Sequence, residues 1–388
     1  MADPDEATAG AGAADARAVD TAAVDMNPAD AGAVDTGPAN TGAADTGAVV
    51  TGSVGAVLAR AGIPAARIAR CAPLTGGTYN TLHSVELTDG ARLVLKVPPP
   101  AGVPGLRYEH GLLRGEALFH ESAAAAGVPA PRVVHAAFDG PGGTDPSAGP
   151  FLLMTHCPGV TWWAAHQEDG GEAGGIGDAE QRALRRETGG LLARLHAVRG
   201  PGFGYPALTF GPLTDAWAPA FTAMTDAVLD DAERYGSWLP LPVPEIRALL
   251  AAAAPVLAEV TVPALVHFDL WPGNILLDGP AGGRTVSGLI DGERMFWGDP
   301  LADFASLSLL HTDVEQDTDF LAGYGAGGGR TRFDTAALRR IALYRCYLYL
   351  IMLTEVVPRG TVGEQLHWVR DFVGRRLEAA LRAAADGG

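Results

Sequence analysis

The sequence predicts an α+β chain of two lobes, a β-rich one followed by a mainly helical one, behind a disordered N-terminal tail. Three observations carry this. After the tail, short apolar runs alternate and are separated by turn residues, as strands are. Beyond Pro158-Gly159 the apolar spacing becomes that of helices. Short polar motifs fall at the join and in one stretch of the helical part, where a cleft between lobes would lie.

Taken in order, residues 1–49 are mainly Ala, Gly, Thr and Asp, with no aromatic residue and one base, Arg17. Asp recurs every five residues from Asp15 to Asp35. A five-residue step turns about 140° on a helix and builds no face. Such a segment cannot bury enough apolar area to offset its ordering entropy.

Residues 50–157 are expected to form the first lobe, a five-stranded sheet plus one helix. A short helix at 54–61 stops at Gly62 and Pro64. ARIARCAPL leads to the loop Thr75-Gly76-Gly77-Thr78. TLHSVEL and RLVLKV are strands joined by Thr88-Asp89-Gly90, a hairpin signal. Residues 107–126 read as a helix ended by Gly127 and Pro129, and RVVHAAF and FLLMTH as two more strands. Residues 158–388 form the second lobe, with helices near 179–198, 214–235, 243–259, 300–311, 314–324, 334–356 and 361–385. NILLD and VSGLID are short strands among them.

Composition narrows the function. Hydrophobic residues make up 47% of the 388 and charged ones 19%, enough for a sizeable core. A net charge of −17 argues against nucleic acid. Three scattered cysteines exclude a disulfide framework and a Cys-based zinc site. The acidic N-terminus is unlike a signal peptide, and there is no run of 18 or more apolar residues, so a cytoplasmic chain without a membrane span is expected.

The most specific stretch is LVHFDLWPGNILLD, residues 265–278. An apolar run delivers His267, Asp269 and Asn274 into a loop. A carboxylate followed five residues later by an amide suits phosphoryl transfer. Asp269 can take the proton of an acceptor hydroxyl, and Asn274 can offer a carbonyl oxygen to a hard cation. His267 reads as structural. Asp291 closes the apolar strand VSGLID and is a second candidate for that cation. Lys96 is the only lysine beside 27 arginines. Its ammonium is a compact point charge that fits between phosphate oxygens where a planar guanidinium does not. Glu116, twenty residues on, is placed to pair with it. Gly76, Gly77 and Thr78 permit close backbone approach to phosphate.

Together these residues resemble the aminoglycoside phosphotransferase and choline kinase-like enzymes, which share the protein kinase fold. Lys96, Glu116, His267 to Asn274, Ile290-Asp291 and Gly298-Asp299-Pro300 carry the resemblance, over about residues 65–385. It implies a bilobal kinase-like fold, ATP (with GTP left open) and Mg²⁺, and transfer of the γ-phosphoryl group to a hydroxyl of a small molecule. Asp269 would be catalytic. Asn274 and Asp291 would hold the metal. Gly76, Gly77, Thr78, Lys96 and Glu116 would hold the phosphates, and backbone groups at Thr155 and Cys157 the adenine edge. Asp299 and Asp303 would brace the loop.

The favoured acceptor is an aminoglycoside-like antibiotic, giving resistance. The alternatives are a metabolite (amino sugar, choline-like alcohol or fructosamine) or a silent nucleotide-binding scaffold. Asp313, Glu315, Asp317 and Asp319 read equally well as an acidic wall for a cationic acceptor and as a solvated helix face. Two departures stand out: Phe268 replaces the family's usual glycine before the catalytic aspartate, and Gly292 follows Asp291 where a larger residue is common.

Overall fold

The computed structural model describes residues 52–74, 79–100, 102–138, 149–167, 175–309 and 313–385. The expected tail and the Thr75–Thr78 loop lie outside the described residues.

The first lobe comprises α1 (Gly52–Arg60), β1 (Ile68–Leu74), β2 (Thr81–Leu87), β3 (Arg92–Val97), α2 (Leu112–Ala125), β4 (Val133–Ala137) and β5 (Phe151–Thr155). The strands form one antiparallel sheet in the order β1-β2-β3-β5-β4. Strand side chains alternate between faces. Leu93 and Leu95 accordingly pack with Val57, Leu58, Val85 and Phe151 in one core cluster. Val94 joins Leu113, Ala117, Leu152 and Met154 in another, on the side of α2. Lys96, two residues after Val94, faces α2 as well, in the middle of the sheet opposite Leu82 and Leu152.

The expected helix over 107–126 is two pieces. Arg107–Glu109 is a single 3₁₀ turn, and α2 starts only at Leu112. Between them Gly111 adopts φ 79°, a left-handed conformation that ends the first turn. Arg107 then turns towards the second lobe, where Asp231 accepts from its main-chain N–H at 2.7 Å.

The second lobe holds β6 (Val160–Thr161), α3 (Trp162–Gln167), α4 (Asp178–Ala197), α5 (Trp217–Tyr235), α6 (Val243–Ala253), β7 (Ala264–Val266), β8 (Ile275–Asp278), β9 (Thr285–Leu289), β10 (Phe296–Gly298), α7 (Asp303–Leu307), α8 (Thr318–Ala326), α9 (Thr335–Glu355), α10 (Gly363–Trp368) and α11 (Gly374–Ala385). Several expected helices are shorter than their apolar pattern because a 3₁₀ turn takes part of each, at Ala254–Glu259, Pro300–Ala302 and Val314–Gln316. A π turn, Val369–Val373, joins α10 to α11. Two small sheets, β6-β8-β9 and β10-β7, carry the polar loops. The main core fills this lobe, with α9 buried along most of its length. No helix among the described residues is long and apolar enough to cross a membrane.

Candidate active site

The loop after β7 is held by one buried carboxylate. Asp303, at the start of α7, accepts from the main-chain N–H of His267 (3.1 Å) and of Phe268 (2.6 Å). His196 on α4 holds Asp303 in turn: its Nε2 donates to Asp303 at 3.0 Å, and its Nδ1 accepts from the Tyr324 hydroxyl at 2.7 Å. Ser306 Oγ accepts from Leu270 N at 3.0 Å. Asp299 caps the turn before α7 and takes Arg340 at 2.9 Å and Tyr344 at 2.7 Å.

Within this frame Phe268 adopts φ 62°, the left-handed conformation for which glycine is the usual choice. Its ring is fully buried, 5.1 Å from Phe296 and 5.3 Å from Tyr347. Packing and the two bonds to Asp303 therefore maintain a backbone shape that elsewhere needs no side chain. The other departure has a steric cause: a Cβ at Gly292 would run into the Phe119 ring on α2. His267 is buried and structural, donating from Nε2 to Ile290 O (3.0 Å) and accepting at Nδ1 from Asp269 N (3.2 Å).

A cleft of about 530 Å³ between the lobes is lined by Lys96, Asp269, Asn274 and Asp291 together. On its first-lobe side Lys96 Nζ lies 2.8 Å from Glu116, 2.5 Å from Asp291 and 2.6 Å from Glu293. Burial opposes the Lys96 charge, yet the three carboxylates outweigh it and hold the ammonium protonated far above its ordinary range. Burial also works against Glu116 and Asp291, but the ammonium keeps both carboxyls below their usual values. Glu293 is the one left over: burial, reinforced by Asp291 and Glu116 against the pull of Lys96, pushes it up to about 8. Asn80 Nδ2 donates to Glu293 at 2.6 Å.

Asp291 sits in the left-handed region at φ 61°, with its side chain 38% exposed to the cleft. Asn274 Nδ2 donates to Asp269 O at 2.8 Å, which commits the amide nitrogen and leaves Oδ1 as the acceptor. A carboxylate and an amide oxygen lining one cleft, beside a surplus of negative charge, fit a hard divalent cation such as Mg²⁺.

Asp269 faces Arg294, whose Nε lies 3.6 Å from its Oδ2. Burial pushes the Asp269 carboxyl above the usual range, against the pull of that guanidinium. Arg294 Nη2 also reaches Glu355 at 3.2 Å. Arg359 reaches the same Glu355 at 3.0 Å and Glu109 at 2.8 Å, so a charged chain runs from Asp269 to the first lobe.

The remaining expectations fare differently. Gly76, Gly77 and Thr78 lie outside the described residues. Thr155 ends β5 and Cys157 lies just beyond it, where the lobes join, and neither lines the cleft. Thr155 N donates to Arg132 O at 2.9 Å, so a nucleotide base could not take that N–H without breaking the pair. Cys157 packs beside Gly288, and burial pushes its thiol up to about 11. The acids Asp313 to Asp319 are no wall of the cleft. Arg345 holds Asp313 at 2.7 Å and Glu315 at 3.0 Å, Arg185 holds Asp317 at 2.6 Å, and Arg186 holds Asp319 at 2.8 Å. Glu293, Arg294, Asn80 and Arg359 carry no sequence signal of their own. The nearest one was that Glu293 and Arg294 directly follow Asp291.

The sequence matches the family model described as "Phosphotransferase enzyme family" (APH) over residues 70–343. No curated protein matches it. Among solved structures, a putative fructosamine-3-kinase from Thermobifida fusca is 24% identical with a TM-score of 0.56, over 84% of this chain and 98% of that one. A thermostable mutant of aminoglycoside phosphotransferase APH(4)-Ia, in ternary complex with AMP-PNP and hygromycin B, is 18% identical with a TM-score of 0.54, over 82% and 95%. A choline/ethanolamine kinase family protein from Mesorhizobium loti is 19% identical with a TM-score of 0.52, over 85% and 97%. At these identities the likeness is one of fold, and it is the bilobal kinase-like fold expected from the motifs.

Proposed function

The chain belongs to the phosphotransferase enzyme family, and on that premise we propose that it moves the γ-phosphoryl group of ATP to a hydroxyl of a small molecule, with Mg²⁺. The observation that carries this reading is the meeting of Lys96, Asp291, Asn274 and Asp269 in one cleft, although they come from opposite lobes. The complexes of related folds with AMP-PNP and hygromycin B support it.

Each residue then has a task. Lys96, aimed by Glu116, binds phosphate oxygens as a point charge. Asp291 and Asn274 would hold Mg²⁺, which when bound neutralises charge on the phosphates. Asp269 orients the acceptor hydroxyl and receives its proton, while Arg294 keeps that carboxylate ionised and aimed. Little covalent chemistry falls to the protein, so positioning and charge do most of the work. Gly76, Gly77 and Thr78 remain candidates for the phosphates. Cys157 is a better candidate than Thr155 for the adenine edge, because the Thr155 N–H is engaged.

The test is ADP release from Mg·ATP over a panel of alcohols, antibiotics and amino sugars included, beside direct nucleotide binding. Acceptor-dependent release supports the reading. Tight nucleotide binding with no release on any acceptor points to a silent scaffold.

A further inference from the structure

We propose that the acceptor is an alcohol with an apolar body, and not an amino sugar carrying several ammonium groups. This rests on the phosphotransfer reading and concerns the half of the cleft beyond Asp269.

Much of the wall of that half is apolar, with Thr361 and Gln365 its uncharged polar members. Trp271 from the catalytic loop, Leu348, Met352 and Val356 from α9 and its end, and Val362 and Trp368 from the next segment line it. Trp271, Met352 and Trp368 are only partly buried, and Val362 is 75% exposed at the rim. Apolar surface left wet around a concave site is surface that a ligand is built to cover.

The charges lining the same half are already paired. Among the described lining residues its carboxylates are Asp269 and Glu355, and its cations are Arg294 and Arg359. Glu355 lies between both guanidiniums, at 3.2 and 3.0 Å, and Asp269 faces Arg294 at 3.6 Å. A ligand rich in ammonium groups finds no carboxylate here that is not already matched. It would have to displace an arginine or lose hydration without a partner. The acidic cluster that could have served it, Asp313 to Asp319, is bound to arginines and does not line the cleft. A hydrophobic body carrying its hydroxyl at one end meets no such obstacle: the body lies on the tryptophans, and the hydroxyl reaches Asp269.

The experiment is calorimetric binding of an alkyl glucoside series, ethyl to octyl below the micelle concentration, to the wild-type chain with Mg·AMP-PNP, beside kanamycin as the polycation. Affinity should rise at least tenfold from ethyl to octyl, and octyl glucoside should bind more tightly than kanamycin. Met352→Asp should flatten the series while AMP-PNP affinity stays within a few-fold, which separates loss of the wall from loss of the fold. An affinity independent of chain length, a series unchanged by Met352→Asp, or tighter binding of kanamycin overturns the proposal. Failure of the phosphotransfer reading shows separately, as no AMP-PNP binding and no ADP release with any acceptor. That result would take the inference down with it.

Discussion

The two halves of the cleft solve opposite charge problems. On the proposed nucleotide side one ammonium, Lys96, meets three carboxylates, those of Glu116, Asp291 and Glu293. On the proposed acceptor side two guanidiniums, those of Arg294 and Arg359, share the carboxylate of Glu355, with Asp269 at one end of the row and Glu109 at the other. The first arrangement is short of positive charge, and Glu293 registers the shortage by staying protonated to about pH 8. Such a site would gain from a divalent cation. In the second every carboxylate already has a guanidinium beside it, so it can hold Asp269 still while offering apolar surface to whatever arrives.

Breaking the first half should have the largest effect. Asp291→Asn removes a charge at the proposed metal position, so both Mg·ATP affinity and turnover should collapse. Lys96→Arg keeps the charge but not its compact shape, and should also cost most of the activity. Nucleotide titration beside steady-state rates checks both, and near wild-type turnover in either variant would contradict the nucleotide role given to this half.

Asp269→Asn acts on the second half. It should lower kcat by about 10²–10⁴, the range for a lost general base, with Mg·ATP affinity within a few-fold of wild type. If this variant loses nucleotide binding while Asp291→Asn keeps it, the two aspartates have each other's roles.

A smaller change separates Arg294 from Asp269. Asp269 serves as a base only when ionised, so activity falls as pH drops through its pKa. Arg294 pulls that pKa down. Arg294→Gln should therefore move the acid limb of the kcat profile to higher pH and leave the rate on the alkaline side closer to wild type. An unmoved limb would make Arg294 a packing residue only.

The smallest effect is a difference between two stability variants. Losing a buried phenyl costs about 3–5 kcal/mol. At Phe268 glycine avoids left-handed strain of about 1–2 kcal/mol that alanine keeps. Both variants should be destabilised in denaturant melts, with Phe268→Gly more stable than Phe268→Ala. The reverse order would mean that the φ of 62° is not maintained.

Much of this cleft could be read in the sequence because its residues sit at fixed offsets along short stretches. Asp269 and Asn274 share one loop, Asp291 ends the strand pair that follows it, and Lys96 is set apart as the only lysine. The first-lobe strands, β8 and β9 were legible because alternation and turn chemistry are local, whereas β6, β7 and β10, of two or three residues each, are too short to show a period. Helix ends were not: whether a last turn is α or 3₁₀ is decided by tertiary packing, as at Ala254–Glu259. Long-range charge pairing was harder still. Nothing near Glu355 in the chain points to Arg294, 61 residues away, or near Arg359 to Glu109, 250 away. The acidic run Asp313 to Asp319 misled for the same reason, since the arginines that neutralise it come from α4 and α9.

Having one lysine in 388 residues also gives the chain an unusual chemical address. A protease specific for lysine can cut it at a single peptide bond, the one after Lys96, in the middle of the sheet of the first lobe. That bond is out of reach while β3 is paired on both sides. The rate at which two fragments appear therefore reports the opening of one strand, without a label and without interference from any other site.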